Sequence, residues 1–172
     1  MEVRVNWVAK NTKARYRVEA ADLESAVKFM SARDNNEWGV TDYDMQANWK
    51  PDAQDNVSAV TIDAKYTITM PRWPAYRSQP QKCKDEWDTM WVALRKHEDG
   101  HRERFEQYVS KLKSKLEALA TATGRNVEEI VKQVISENAS EQEKYDTSTD
   151  HGKSRGVELT ITPECRSKQK SE

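Results

Sequence analysis

The sequence predicts an α+β fold: a small, mostly antiparallel sheet with one short helix, followed by a long helix and a second helix packed back on it. Three observations carry that reading. Apolar and polar residues alternate with a period of two over the first seventy or so positions, steps of three and four take over near Asp85, and helix breakers and prolines fall between the segments. The 172 residues allow one domain of ordinary size. Within it we expect a sheet-rich part over 1–75, a helical part over 84–152 that carries the site, and a disordered tail over 166–172.

Each element has its own signal. Val3, Val5 and Trp7 alternate with polar residues, and Tyr16 and Val18 do so again, as in half-buried strands. Asp22 has the chemistry of an N-cap for a short helix through Leu23, Val27 and Met30, which Asn35-Asn36 breaks. Val40, Tyr43, Met45, Ala47 and Trp49 form a second strand that Pro51 stops. Val60, Ile62, Ala64, Tyr66, Ile68 and Met70 make the clearest strand, ended by Pro71 and Pro74 because proline cannot donate to a ladder. Trp87, Trp91, Leu94, Phe105, Tyr108, Leu112, Leu116 and Leu119 then mark one stripe of a long helix, with His97 and His101 filling its gap and Gly124 beyond its end. Asn126 and Glu129 resemble a capping box for a second helix through Val127, Ile130, Val134 and Ile135. Its stripe turns polar at Asn138, Gln142 and Tyr145, and Val157, Leu159 and Ile161 suggest a last short alternating run.

Composition narrows the function classes. Lys and Arg number 28 against 29 Asp and Glu, a formal net charge of −1 that argues against a protein wrapping nucleic acid. No apolar run approaches the roughly 20 residues that span a bilayer. The first twenty residues have basic groups but no apolar centre, so the expectation is either a cytosolic protein or one whose export signal precedes this numbering. Neither G-x-x-x-x-G-K nor G-x-G-x-x-G occurs, which removes the usual phosphate loops. Cys83 and Cys165 stand apart with no Cys-x-x-Cys pair, so a zinc ribbon is not expected, and one disulfide or two separate thiols both remain open.

The chemistry sits in His97-Glu98-Asp99-Gly100-His101. Residues four apart on a helix lie one above the other, about 6 Å apart. Two imidazoles so placed can hold one zinc ion at about 2.0–2.1 Å each. Glu98, one step round the helix, is then placed to take a proton from the zinc-bound water and pass it to a leaving amine. Composition alone predicts roughly 0.005 chance matches to this pattern in the chain, which weighs against two histidines merely packed in a core stripe. Gly100 adds weight, because a mid-helix glycine costs ~1 kcal/mol relative to alanine and leaves room for another element to approach. Asp99 fits less well, since an acid beside the site needs solvent or a partner.

A catalytic zinc site wants a third protein ligand and one open position. Arg104 and Gln107 stand where a metzincin would have its glycine and third histidine, which excludes that class. The remaining histidine, His151, is the expected third ligand, with Glu137, Glu141 and Glu143 of the second helix as the competing carboxylates. Tyr145 is a candidate donor to a developing oxyanion, and Asp146 or Asp150 could accept the outer N–H of a ligating histidine.

H-E-x-G-H followed some forty-five residues later by Y-D-x-x-T-x-H-G resembles a functionally uncharacterised bacterial domain family described as predicted secreted zinc-dependent proteases. The similarity covers most of the chain, including Tyr16-Arg17-Val18, the Trp49 strand, Met70-Pro71 with Trp73, and Trp87. It implies a zinc peptidase in which His97, His101 and His151 match the motif histidines and Glu98 is the general base. It also implies a secreted or periplasmic location; a cytoplasmic one is the alternative.

The sequence reading is therefore a zincin-like metallopeptidase with Zn2+ as cofactor and a peptide or protein as substrate. No nucleic-acid partner and no membrane span are expected, and the oligomeric state is open. The Val60–Met70 strand is a candidate sheet edge for holding an extended peptide. The alternatives are a non-catalytic protein stapled by zinc and a helical interaction module using the Leu94–Leu119 stripe.

Overall fold

A computed structural model describes residues 1–33, 37–159 and 161–166. Asn35-Asn36, the expected helix breaker, and all but Arg166 of the expected 166–172 tail lie outside the described residues. The elements run β1 (Glu2–Arg17), α1 (Leu23–Ser31), β2 (Val40–Pro51), β3 (Val57–Arg72), α2 (Gln81–Glu117) and α3 (Gly124–Thr149), with single 3-10 turns at Pro74–Ser78, Lys153–Arg155 and Pro163–Cys165. The chain is thus α+β.

β1 joins the two expected alternating runs into one strand. Its exposed residues fall at even positions from Glu2 to Val8 and at odd positions from Lys13 to Arg17, so the strand changes frame between the runs. The sheet order is β1-β3-β2, which makes β3 the central strand. Asn6 donates to Asp63 at 2.8 Å near one end, and the Val18 N–H donates to the Arg72 carbonyl at 2.9 Å near the other. The partners advance together, so β1 and β3 are parallel. β2 and β3 are joined by the short turn 52–56, where the Asp52 N–H donates to the Asn56 carbonyl at 2.9 Å.

Three expectations are corrected here. The sheet is not mostly antiparallel, because a parallel pair runs through its centre; alternation has the same period in either direction and cannot reveal the pairing. The Val60–Met70 strand is no edge, since it is hydrogen-bonded on both sides. Pro71 also lies inside β3 rather than stopping it, at the level where β2 begins and its pairing has run out.

The helix ends differ from expectation by a turn or more. Asp22 caps α1 as expected, accepting from the Ser25 N–H at 2.8 Å. α2 starts at Gln81, right after Pro80, rather than near Asp85. Gly124 opens α3 instead of closing α2: its N–H donates to the Asp55 carbonyl at 2.9 Å, and a Cβ there would lie 2.5 Å from Asp55 Oδ1. The cap of α3 is Thr123, whose hydroxyl accepts from the Asn126 N–H at 3.2 Å, so Asn126 is inside the helix. Val157 and Leu159 lie in irregular chain, not in the expected alternating run.

Contacts divide the chain into two compact units. One comprises Met1–Thr12, Thr41–Thr67 and Gly100–Thr147. Its core holds an aromatic cluster in which Phe105 of α2 meets Tyr43 at 5.2 Å, Trp7 at 6.2 Å and Tyr66 at 6.5 Å between ring centroids. α3 packs back on α2 here, with Lys111 paired to Glu137 at 2.6 Å. The other unit comprises Lys13–Val40, Ile68–Asp99 and Ser148–Glu172. It buries Val18, Leu23, Met30, Ile68, Met90 and Leu94, stacks Trp73 on Trp87 at 5.1 Å, and joins Cys83 to Cys165 in a disulfide. Among the described residues no helix is long and apolar enough to cross a membrane.

Candidate metal centre

His97, Glu98, Gly100 and His101 lie on one continuous helix, α2, and the two imidazoles are one turn apart. Both histidines and Glu98 are buried. His97, His101 and Asp146 each offer a ligand atom, and these atoms all lie within 4.8 Å of one another. The chain therefore has a group able to hold a metal ion.

His101 is oriented by α3. Its Nδ1 lies 2.7 Å from Gln142 Oε1 and its Nε2 lies 2.9 Å from Asp146 Oδ1. The Gln142 amide is held the right way round because its Nε2 donates to the His101 carbonyl at 3.1 Å and to Asn138 Oδ1 at 3.3 Å. Gln142 thus presents a carbonyl oxygen to Nδ1, which fixes the N–H on that nitrogen and turns Nε2 toward Asp146. Two ligands of a tetrahedral zinc at about 2.0–2.1 Å lie about 3.3–3.4 Å apart. The 2.9 Å between Nε2 and Asp146 Oδ1 is close to that span, so a small widening fits an ion between them. The donor set of two imidazoles and a carboxylate suits zinc.

Asp146 also acts on Tyr43, whose phenol is pushed above its usual range first by burial and then by the Asp146 charge.

Tyr145 is buried and meets His101 edge-on at 4.9 Å between centroids. The Arg104 guanidinium lies over the phenol ring, 3.7 Å from its centroid, and donates to the Gly100 carbonyl at 2.9 Å. The reason for glycine at position 100 is direct: a Cβ there would lie 2.2 Å from Tyr145 Oη. Gly39, just before β2, plays the same part for the general-base candidate, since a Cβ there would lie 2.9 Å from Glu98 Oε1. Asp99 has the partner it needs, a two-pronged pair with Arg95 at 3.0 Å for both hydrogen bonds.

His151 is exposed and is not part of the metal-capable group. It sits in a turn with φ values of 47° at Asp150, 51° at His151 and 86° at Gly152. Glu137 is turned to Lys111 and Gln133, while Glu143 is exposed. The third member of the metal-capable group is Asp146, for which the sequence suggests only the part of a partner to a ligating histidine. A signal was present in the polar stripe Asn138, Gln142, Tyr145 and Thr149, whose spacing of four, three and four keeps one face of α3 polar and yet buried.

A family model described as bacterial protein of unknown function (DUF922) matches residues 13–152, and the chain belongs to that family. No curated protein and no solved structure matches the chain.

Proposed function

We propose that this member of the family is a zinc-dependent, zincin-like peptidase in which His97, His101 and Asp146 hold the ion and Glu98 is the general base. The observation that carries the reading is the convergence of those three ligand atoms within 4.8 Å, with a buried carboxylate one residue after the first histidine. When bound, the ion lowers the pKa of its water from about 15.7 toward ~7 and polarises the scissile carbonyl.

The chain's own groups supply the rest. Glu98 takes a proton from the attacking water and delivers it to the leaving amine, and its burial keeps bulk water from competing for that proton. Tyr145 Oη, seated over the bare backbone of Gly100, donates to the oxygen on which negative charge develops. Gln142 holds the tautomer of His101. The substrate is a peptide or protein, and the buried Cys83–Cys165 disulfide supports folding in an oxidising compartment, hence a secreted or periplasmic location.

The experiment is elemental zinc analysis joined to a cleavage assay on an unstructured protein substrate. One zinc per chain, lost in His97→Ala, and cleavage abolished in Glu98→Gln with zinc retained, are the expected results. Zinc retained with no cleavage in the wild type would instead make the ion a structural staple. No zinc in metal-replete protein would end the reading.

A further inference from the structure

The left-handed turn at the end of α3 has a job that neither the motif nor the family description gives it. Asp150, His151 and Gly152 take positive φ in succession, and only the last is a glycine. The turn is held by the Gly152 N–H donating to Thr149 Oγ1 at 3.3 Å, the Lys153 N–H to the Asp150 carbonyl at 3.0 Å, and the Val157 N–H to the Gly152 carbonyl at 3.2 Å. What it delivers is the bare Cα of Gly152 onto the His97 ring. A Cβ at Gly152 would lie 3.1 Å from His97 Cγ and 2.7 Å from Val157 Cγ2. Val157 is buried and closes the turn over that contact.

Among the described residues after Val157, a hold on α2 comes at the 3-10 turn Pro163–Cys165. Cys165 is bonded to Cys83 and both are buried, while Lys82 pairs with Glu164 at 3.4 Å. Cys83 and His97 belong to the same rigid helix, about 21 Å apart along its axis. The segment that seats Gly152 is therefore tied to α2 at a second point, and both ends of the tie refer to the helix that carries His97.

We propose that the Gly152 turn, fastened to α2 by the Cys83–Cys165 disulfide, positions the His97 imidazole, and that the metal affinity of the site depends on this disulfide. Gly152 and the disulfide act through His97, so they are positioning elements rather than ligands. The affinity part rests on the metal reading above.

The full chain is tested with Cys83→Ser/Cys165→Ser and, separately, with Gly152→Ala, in which the disulfide stays intact. Two readouts are taken. The first is the imidazole NMR signal of His97 in metal-free protein, assignable because the chain has three histidines. The second is the zinc dissociation constant from competition with a chromophoric chelator. In both variants the His97 signal broadens or shifts while His101, held by Gln142, keeps its own, and zinc binds about tenfold more weakly. A His97 signal and a zinc affinity unchanged in both variants would overturn the proposal, whatever the loss in thermal stability. Should the double variant unfold, Gly152→Ala decides alone. Should the wild type bind no zinc, the metal reading fails and the affinity clause with it, while the His97 signal still decides the positioning.

Discussion

Tyr145 of α3 lies over Gly100 of α2 so closely that a methyl group on Gly100 would overlap its hydroxyl, 2.2 Å away. At an unconstrained helical site, glycine to alanine stabilises by ~1 kcal/mol. Here the sign reverses: Gly100→Ala forces α3 or the phenol to move and destabilises by about 1–3 kcal/mol. Thermal or urea unfolding measures it, and a stabilised Gly100→Ala would refute the close approach.

Zinc content separates the candidate third ligands. His97→Ala and His101→Ala lose the ion. Asp146→Ala loses most of it, because Asp146 faces His101 Nε2 at 2.9 Å, whereas the exposed His151 can be replaced by alanine with the zinc retained. The reverse ranking would mean that the 150–152 turn swings inward to bring His151 onto the ion in place of Asp146.

Glu98→Gln preserves volume and removes the carboxylate proposed as the base. It keeps one zinc per chain and lowers kcat by about 10²–10⁴. Loss of zinc in this variant would reassign Glu98 from proton transfer to metal binding.

Tyr145→Phe keeps the ring that packs on His101 and under Arg104 and removes the hydroxyl alone. We expect kcat to fall about 10²–10³-fold with KM and zinc content little changed. A wild-type kcat would remove Tyr145 from the chemistry and leave it a packing role against Gly100.

Tyr16 gives a pH signature of its own. Burial pushes its phenol up to about 12, and its O–H donates to the Trp38 carbonyl at 2.8 Å. The unfolded chain ionises this group near 10 while the folded chain holds the proton, so stability present below about pH 10 is lost as pH rises toward 12. Alkaline denaturation monitored by circular dichroism shows that slope in the wild type and a shallower one in Tyr16→Phe.

Much of this protein was legible from local chemistry. The α1 cap at Asp22, the Val60–Met70 alternation, the long stripe of α2 and the pairing of His97 with His101 all follow from periods and side-chain types within a few residues of one another. The bare glycine inside H-E-x-G-H pointed to a close approach without saying by what. Gly124 misled for a non-local reason: the partner that makes it a helix start is Asp55, nearly seventy residues away.

The residue types, their periods and the one-turn spacing of two histidines therefore came from the sequence by itself, because each is decided within a single element. The direction of β1 against β3, Asp146 opposite His101, Tyr145 over Gly100 and the Gly152 turn on His97 belong to the tertiary structure alone. Each of these depends on which faces of distant elements are brought together. Periodicity shows that a face is buried but not what it is buried against, and a metal site is made of what stands across from the histidines as much as of the histidines themselves.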